Sequence, residues 1–216
     1  MDTNKLIEAV AEFVDAIDLQ FGIYLDACAG FQEIHERTKK HQLEFIDKLK
    51  VEYPEKANME YMDSALHLYG EGDPNDPQNI MWHKVTQKKF KERTIKNGIN
   101  DKTVCRNCIV LIYEFWETEY RNRVSQALSV KRDTILIPII GDLRLIRHAI
   151  LHNKSRVTKD IVTKAEVIKG YNEGQEIIFS EKEIYGIVQA VKAAMDKLLR
   201  ENVGEDPKHR TVWHVR

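Results

Sequence analysis

The stretch LRLIRHAILHNK, residues 143–154, combines a regular apolar pattern with a cluster of basic side chains. Successive side chains on an α-helix are about 100° apart. On such a helix the apolar residues share one face, which consists of Leu143, Leu145, Ile146, Ala149 and Ile150. The polar face consists of Arg144, Arg147, His148 and His152. The sequence therefore predicts an amphipathic helix whose polar face carries two arginines, two histidines and no acid.

The composition of this polar face bears on function. Charged residues on a helix most often face solvent, which is the simplest interpretation. Arginine, however, binds phosphate through two parallel hydrogen bonds, and histidine changes its charge near neutral pH and serves as a general acid or base. These groups suit RNA cleavage without a metal, in which a base deprotonates the 2′-hydroxyl and cations stabilise the charge that develops on the phosphate. DNA lacks that hydroxyl and would not react.

The overall composition is that of a globular protein. The chain has 216 residues, of which 43% are hydrophobic, so we expect a buried core and one domain. Lys and Arg number 33 against 34 Asp and Glu, and the net charge of −1 gives no overall attraction to polyanions. A nucleic-acid site must therefore be local. The three cysteines indicate a reducing compartment and not a disulfide framework.

Two observations bear on localisation. Residues 1–18 carry acidic side chains throughout, so no signal peptide is expected. The longest apolar run, ILIPII at residues 135–140, is far shorter than the ~20 residues that span a bilayer. We therefore expect a cytoplasmic protein that does not enter a membrane.

Apolar spacings of three and four residues predict two helices at the start of the chain. The first covers residues 4–27 and the second residues 34–49. Gly30 separates them, and Pro54 closes the second. Both helices are expected to contribute to the core.

Two further helices are predicted in the second half. One starts near Asp101 and is apolar on almost every side over residues 108–116, which is typical of a central, buried helix. The other is the basic helix, where Asp142 is well placed to cap the start and Asn153 suits the end.

The remaining segments are less regular. Residues 54–102 give a weak pattern and are predicted to be an insertion, while residues 84–106 hold eight Lys or Arg against two acids and either form a solvated helix or contact polyphosphate. A Gly-Tyr-Asn-Glu-Gly turn at 170–174 predicts a small β-hairpin with the only strands in the chain. A capping box at Ser180 starts the last helix, and residues 202–216 are expected to form a tail.

Other site chemistries are disfavoured by their surroundings. Cys105 and Cys108 form a CxxC pair without a second pair for zinc and without a redox motif's strand–helix–strand setting, so core packing is favoured. His148 and His152 have metal-ligand spacing, but the zinc-protease pattern requires glutamate where Ala149 stands. No glycine-rich phosphate loop opens a helix. We therefore expect no metal and no cofactor.

The basic helix resembles the motif of a known family. Arg147, His148, three apolar residues, His152 and Asn153 are similar to the R-x4-6-H motif of the HEPN superfamily, in which Asn, Asp or His typically follows the arginine. The preceding helix, IYEFWETEYRNR at 112–123, resembles the Y-x-x-W-E helix of bacterial members. The similarity covers about residues 103–200.

This resemblance implies a fold and an activity. The fold is all-α, an HEPN-like helical bundle over residues 1–216 with the small β-hairpin before the last helix. Active members are metal-independent ribonucleases of toxin–antitoxin, antiphage and RNA-guided defence systems. The expected function is therefore an endoribonuclease that leaves 2′,3′-cyclic phosphate ends. The expected assembly is a homodimer with a composite active site, accompanied by an antitoxin or defence-complex partner.

The resemblance also implies residue roles. Arg147 is the transition-state clamp and His152 the acid or base. The remaining positions are assigned to binding the RNA phosphate: Arg144, His148, Asn153 and Lys154. Since some members are inactive, the alternative is a non-catalytic module that binds nucleotide, nucleic acid or a partner protein through the same face. A third interpretation is an antitoxin-like scaffold.

Overall fold

The computed structural model describes residues 1–73, 76 and 78–204. Within these residues the chain is mostly helical. The α-helices are α1 (Thr3–Glu52), α2 (Met59–Ser64), α3 (Gln87–Thr94), α4 (Ile99–Phe115), α5 (Arg121–Leu128), α6 (Pro138–His152), α7 (Lys159–Lys164) and α8 (Glu181–Val203). Two strands, β1 (Leu66–Glu71) and β2 (Ile80–Thr86), form one antiparallel hairpin. Short turns of 3₁₀-helix lie at Pro54–Lys56 and Arg132–Thr134, and a π-helical turn at Trp116–Tyr120.

The chain divides into two compact units. The motif unit consists of residues 1–25 together with the chain from 104 onward, and the hairpin unit consists of residues 26–103. The predicted insertion at 54–102 falls inside the hairpin unit. Within the described residues, no helix is long and apolar enough to cross a membrane.

The core of the motif unit joins side chains from its long helices. Fully buried residues include Phe13 of α1, Ile109 of α4, Leu143 of α6 and Val191 of α8. Trp116, in the π-helical turn after α4, lies 5.3 Å from Phe13 between ring centroids. The predicted burial of residues 108–116 holds for one side of this helix, but Leu111 on the other side is 37% exposed.

The hairpin unit contains the two-stranded sheet. Leu66 pairs with Thr86 at one end, and the register shifts by one residue between Tyr69 and Gly70. At this bulge a Cβ atom on Gly70 would lie 2.7 Å from the Ile80 carbonyl oxygen, so only glycine fits there. Thr86 then caps the start of α3.

The prediction of a helical fold with one small hairpin is confirmed, but the hairpin lies at residues 66–86 and not before the last helix. The segment at 159–164 forms α7 instead, and a single bridge joins Arg156 to Glu176. Asp142 explains the difference. Its carboxylate accepts hydrogen bonds at 2.7–2.9 Å from the backbone N–H groups of residues 166–168, which removes them from any strand pairing.

The sequence predicted that Asp142 caps the start of α6, and this prediction is wrong. Helix α6 begins earlier, with Pro138 in its first turn, because proline has no N–H to leave unpaired there. The separation at Gly30 was also wrong. Helix α1 is continuous from Thr3 to Glu52, since one glycine inside a long amphipathic helix costs only about 1 kcal/mol relative to alanine.

The last helix forms largely as predicted. Ser180 and Glu183 make the expected capping box at the start of α8. The helix ends at Val203, one residue beyond the predicted start of the tail, and Gly204 follows with a φ of 87°. The rest of the predicted tail, residues 205–216, lies outside the described residues.

Candidate functional site

Helix α6 carries the motif residues on its outer face. The buried face of the helix includes Ile139, Ile140, Leu143, Ile146 and Ala149. Arg144, His148 and His152 are exposed on the other side, and Arg147 is partly exposed. The amphipathic helix predicted for this stretch is therefore confirmed, with its basic face directed outward.

Arg147 is held by an acidic side chain of α4. Its Nε donates a hydrogen bond to Glu114 Oε1 at 2.7 Å. Both side chains are about one-third exposed, at 31% and 32%. Within the described residues, the two terminal amino groups of Arg147 make no hydrogen bond. The ion pair thus orients the guanidinium and leaves its two terminal amino groups available to bind an anion.

His148 and His152 lie next to each other in the last two turns of α6. Their ring centroids are 4.9 Å apart, with an angle of 43° between the planes. Both side chains are exposed to solvent. They lie at the C-terminal end of the helix. Both rings are therefore accessible to a molecule bound at this face.

Asn153 ends the helix, as predicted, and has a structural role in the turn that follows. Its backbone N–H donates to the Ala149 carbonyl oxygen at 3.0 Å, and its side-chain Nδ2 donates to the Arg156 carbonyl oxygen at 2.9 Å. The left-handed conformation falls on Lys154 and Ser155, with φ of 51° and 57°. The assignment of Asn153 and Lys154 to phosphate binding stays a prediction.

Arg144 lines a cavity of about 290 Å³ in the motif unit. Glu117 lies in the same wall, but its carboxylate accepts hydrogen bonds from Arg121 and Arg132. Burial raises the pKa of Tyr113, another lining residue, and the Glu117 carboxylate raises it further, so this hydroxyl stays protonated at neutral pH. Arg144 itself has no ion-pair partner in the described part of the chain, so the cavity presents an available guanidinium.

The sequence reasoning missed Glu114. The Trp-Glu helix drew attention to Glu117, which binds Arg121 and Arg132, whereas the acid that contacts the motif arginine is three residues earlier. One signal could have identified it. Glu114 is the only charged residue between Cys108 and Trp116, and a single charge within an apolar stretch usually requires a partner.

The cysteines belong to the core. Cys28, Cys105 and Cys108 are all buried, which confirms core packing as the interpretation of the CxxC pair. Burial raises the pKa of Cys108 to about 12, so its thiol stays protonated at neutral pH. Among the residues that the structure describes, no group of three or more His, Cys, Asp or Glu side chains is placed to hold a metal ion.

Comparison of the chain with family profiles, curated proteins and solved structures found no match. Membership of the HEPN superfamily therefore stays a prediction from the motif residues. What the structure adds is local: Glu114 beside Arg147, and His148 beside His152.

Proposed function

We propose that this chain is a metal-independent endoribonuclease of the HEPN type. The observation that carries the proposal concerns Arg147: Glu114 orients it through Nε, and neither terminal amino group has a hydrogen-bond partner among the residues that the structure describes. Two exposed imidazoles follow within the next two turns of the same helix. A phosphate clamp and acid–base groups on one helix are the parts that this reaction requires.

In the proposed reaction, His152 accepts the proton of a 2′-hydroxyl group of RNA. The 2′-oxygen attacks the adjacent phosphorus, and the bond from phosphorus to the 5′-oxygen breaks. A second acidic group returns a proton to that 5′-oxygen, which leaves a 5′-hydroxyl and a 2′,3′-cyclic phosphate. Arg147 donates hydrogen bonds to the non-bridging oxygens, where negative charge accumulates in the transition state.

The shape of α6 favours a site shared by two copies. Arg147 and His152 are five residues apart on a continuous helix, so their directions diverge by about 140°. A twofold axis would bring Arg147 of one copy towards His152 of the other. Leu151, one turn after Arg147, is 50% exposed and could pack against the second copy. The proposed enzyme is therefore a homodimer.

The proposed setting is antiphage defence or a toxin–antitoxin pair in the cytoplasm, with RNA as substrate and an antitoxin or defence-complex partner that restrains the enzyme. This setting follows from the HEPN resemblance. Toxicity upon expression, relieved by Arg147→Ala, would support it.

The test is incubation of the purified protein with single-stranded RNA in EDTA, followed by mapping of the ends. We expect 2′,3′-cyclic phosphate and 5′-hydroxyl ends. Arg147→Ala and His152→Ala should each reduce cleavage by at least about 10³-fold, because each removes a group that acts in the transition state. Circular dichroism should show that the fold is unchanged.

Arg200→Ala provides a matched control, since Arg200 is also an exposed arginine in an ion pair, with Asp196 on α8. Its cleavage rate should equal that of the wild type. Full activity in both motif variants, or activity that EDTA abolishes, would contradict the proposal. RNA binding by the wild type without any cleavage would instead indicate the non-catalytic module.

A further inference from the structure

The hairpin unit contains a cavity that the proposed ribonuclease reaction does not use. Its volume is about 430 Å³, within the range typical of small-molecule sites. The second half of α1, α2, the start of α3 and His67 of β1 line it. Phe45 and Met62 supply apolar walls, and Phe45 is 48% exposed.

Gln42 is the most informative residue of this cavity. Its side chain is only 1% exposed, and its Nε2 donates to Asp63 Oδ1 at 3.1 Å and to Gln87 Oε1 at 2.7 Å. Because the Asp63 carboxylate only accepts, it determines which end of the Gln42 amide faces it. Gln42 Oε1 is then left buried without a donor in the described residues. Buried acceptors normally have a partner, so this oxygen indicates a missing N–H group.

Asp63 keeps this orientation because it is itself fixed. Lys91 Nζ lies 2.6 Å from Asp63 Oδ1, and both side chains are mostly buried. The amide of Gln42 therefore cannot turn over without placing its oxygen against a carboxylate. The contacts around Gln42 therefore determine that its Oε1 lacks a donor, and rotation of the amide group would not supply one.

The cavity also carries positive charge. Arg37 and His41 lie one turn apart on α1, and both are exposed lining residues. Neither has a hydrogen bond or ion pair within the described chain. His67, in contrast, is stacked on Phe90 at 3.9 Å, and its burial together with the nearby Arg93 lowers its pKa. The site thus combines an exposed guanidinium and an exposed imidazole at its edge with a neutral interior.

From these contacts we propose that the cavity binds a small aromatic anion that carries one N–H donor. The ring packs between Phe45 and Met62, the N–H donates to Gln42 Oε1, and the anionic group pairs with Arg37. A carboxylate and a phosphate both provide such an anion. This site is independent of the ribonuclease reaction, because every residue that lines it belongs to the hairpin unit.

The test is isothermal titration calorimetry on the full chain with indole-3-propionate and with AMP. Indole-3-propionate offers one ring N–H and a carboxylate, and its 1-methyl analogue lacks the N–H. We expect the methylated compound to bind at least about tenfold more weakly, since Gln42 Oε1 loses its donor. Binding of AMP would show that a phosphate can serve as the anion, and binding of indole-3-propionate would show that a carboxylate can; because the two ligands also differ in their rings, their affinities are not compared with each other.

Variants of exposed residues complete the test without endangering the fold. Arg37→Ala should weaken binding of either ligand about tenfold, because an arginine–anion hydrogen bond is lost. Lys40→Ala is the matched control on the same helix, since Lys40 pairs with Glu44 and does not line the cavity; it should change the affinity less than twofold. His152→Ala, in the motif unit, should have no effect on either ligand.

Absence of binding by both ligands up to about 5 mM would overturn the proposal. So would affinities that N-methylation and Arg37→Ala leave unchanged. Loss of binding in His152→Ala would place the ligand on α6 and would equally contradict the site in the hairpin unit.

Discussion

Two regions of the chain are rich in basic residues, and they use them differently. In the segment 84–106, three of the eight basic side chains are bound to partners within the protein. Lys91 pairs with Asp63, Arg93 hydrogen-bonds to His83 at 3.0 Å, and Arg106 binds Glu176 and the Ile177 carbonyl oxygen. This segment has the largest local excess of basic residues, yet three of its cations stabilise the structure.

On α6 the opposite holds. Arg144, His148 and His152 have no ion-pair partner in the described residues, and Arg147 uses only its Nε. A polyanion therefore meets basic side chains on this helix that are, apart from Arg147 Nε, not bound to partners among the described residues. The comparison teaches that the number of basic residues in a segment does not measure the charge that a ligand can use.

The largest expected effect tests the α6 side of this comparison. If Arg147 and His152 act together only across two copies, heterodimers of Arg147→Ala and His152→Ala contain one intact site and one doubly defective site. Co-expression of the two inactive variants should then restore about a quarter of wild-type cleavage, since half of the dimers are mixed and each has one working site.

The measurement is the cleavage rate of the co-expressed mixture, followed by that of the mixed dimers isolated through two different affinity tags, which should retain about half of wild-type cleavage. A mixture that stays as inactive as either variant alone would show that both residues serve the same copy. Sedimentation of the mixed species establishes that heterodimers are present.

The second expected effect is a loss of stability in the segment 84–106, where Arg106 is the clearest case of a basic residue bound within the protein. Its side chain is 14% exposed and donates from Nε and Nη2 to the Ile177 carbonyl oxygen at 3.1 and 2.8 Å. Arg106→Ala would remove both of these donors from the carbonyl oxygen of Ile177, which is a buried residue. We expect the free energy of unfolding to fall by about 2–3 kcal/mol, mostly from this carbonyl, because Glu176 is too exposed to contribute much.

Urea or thermal unfolding measures this loss, which corresponds to a decrease in Tm of roughly 5–10 °C. Lys89→Ala is the control from the same basic segment, and its exposed side chain should change stability by less than about 0.5 kcal/mol. At temperatures well below Tm, Arg106→Ala should cleave RNA normally. Equal stability of the two variants would mean that the contacts of Arg106 do not stabilise the fold.

These contrasts also show how far the sequence could predict the molecule. Amphipathic spacing identified α6 and placed its buried face, because periodicity is a local property of the chain. The capping box at Ser180 is local as well. Local patterns could not show that the segment after α7 forms no hairpin. The backbone of that segment donates hydrogen bonds to Asp142, which lies 24 residues before the first of these partners.

The candidate site divides along the same line. The outward face of α6 followed from residues 143–154 alone. The partner of Arg147 lies 33 residues earlier in the chain. Its isolated charge indicates that Glu114 needs a partner, but only the packing of α4 beside α6 shows that this partner is Arg147. The same is true of Gln42, whose two acceptors are Asp63 and Gln87. Long-range polar contacts decide which charges are available, and sequence patterns do not encode them.

The smallest expected effect concerns Glu114, which is the one acid among the described residues that contacts the basic face. Glu114→Ala should lower kcat/KM for RNA about tenfold, because Arg147 loses the bond that directs its amino groups. Glu114→Gln keeps an acceptor for Nε and should retain most of the activity. Stability should change by less than about 1 kcal/mol in both variants, since the pair is one-third exposed.

The two variants together decide what this ion pair does. Recovery of activity in Glu114→Gln would support an orienting role for the side chain. A purely electrostatic role would not give this recovery, because glutamine carries no charge. Faster cleavage by Glu114→Ala than by the wild type would mean that the carboxylate competes with phosphate for the guanidinium. Arg147 would then resemble the committed cations of residues 84–106, and the distinction between the two basic regions would no longer hold for the residue on which the proposed reaction depends most.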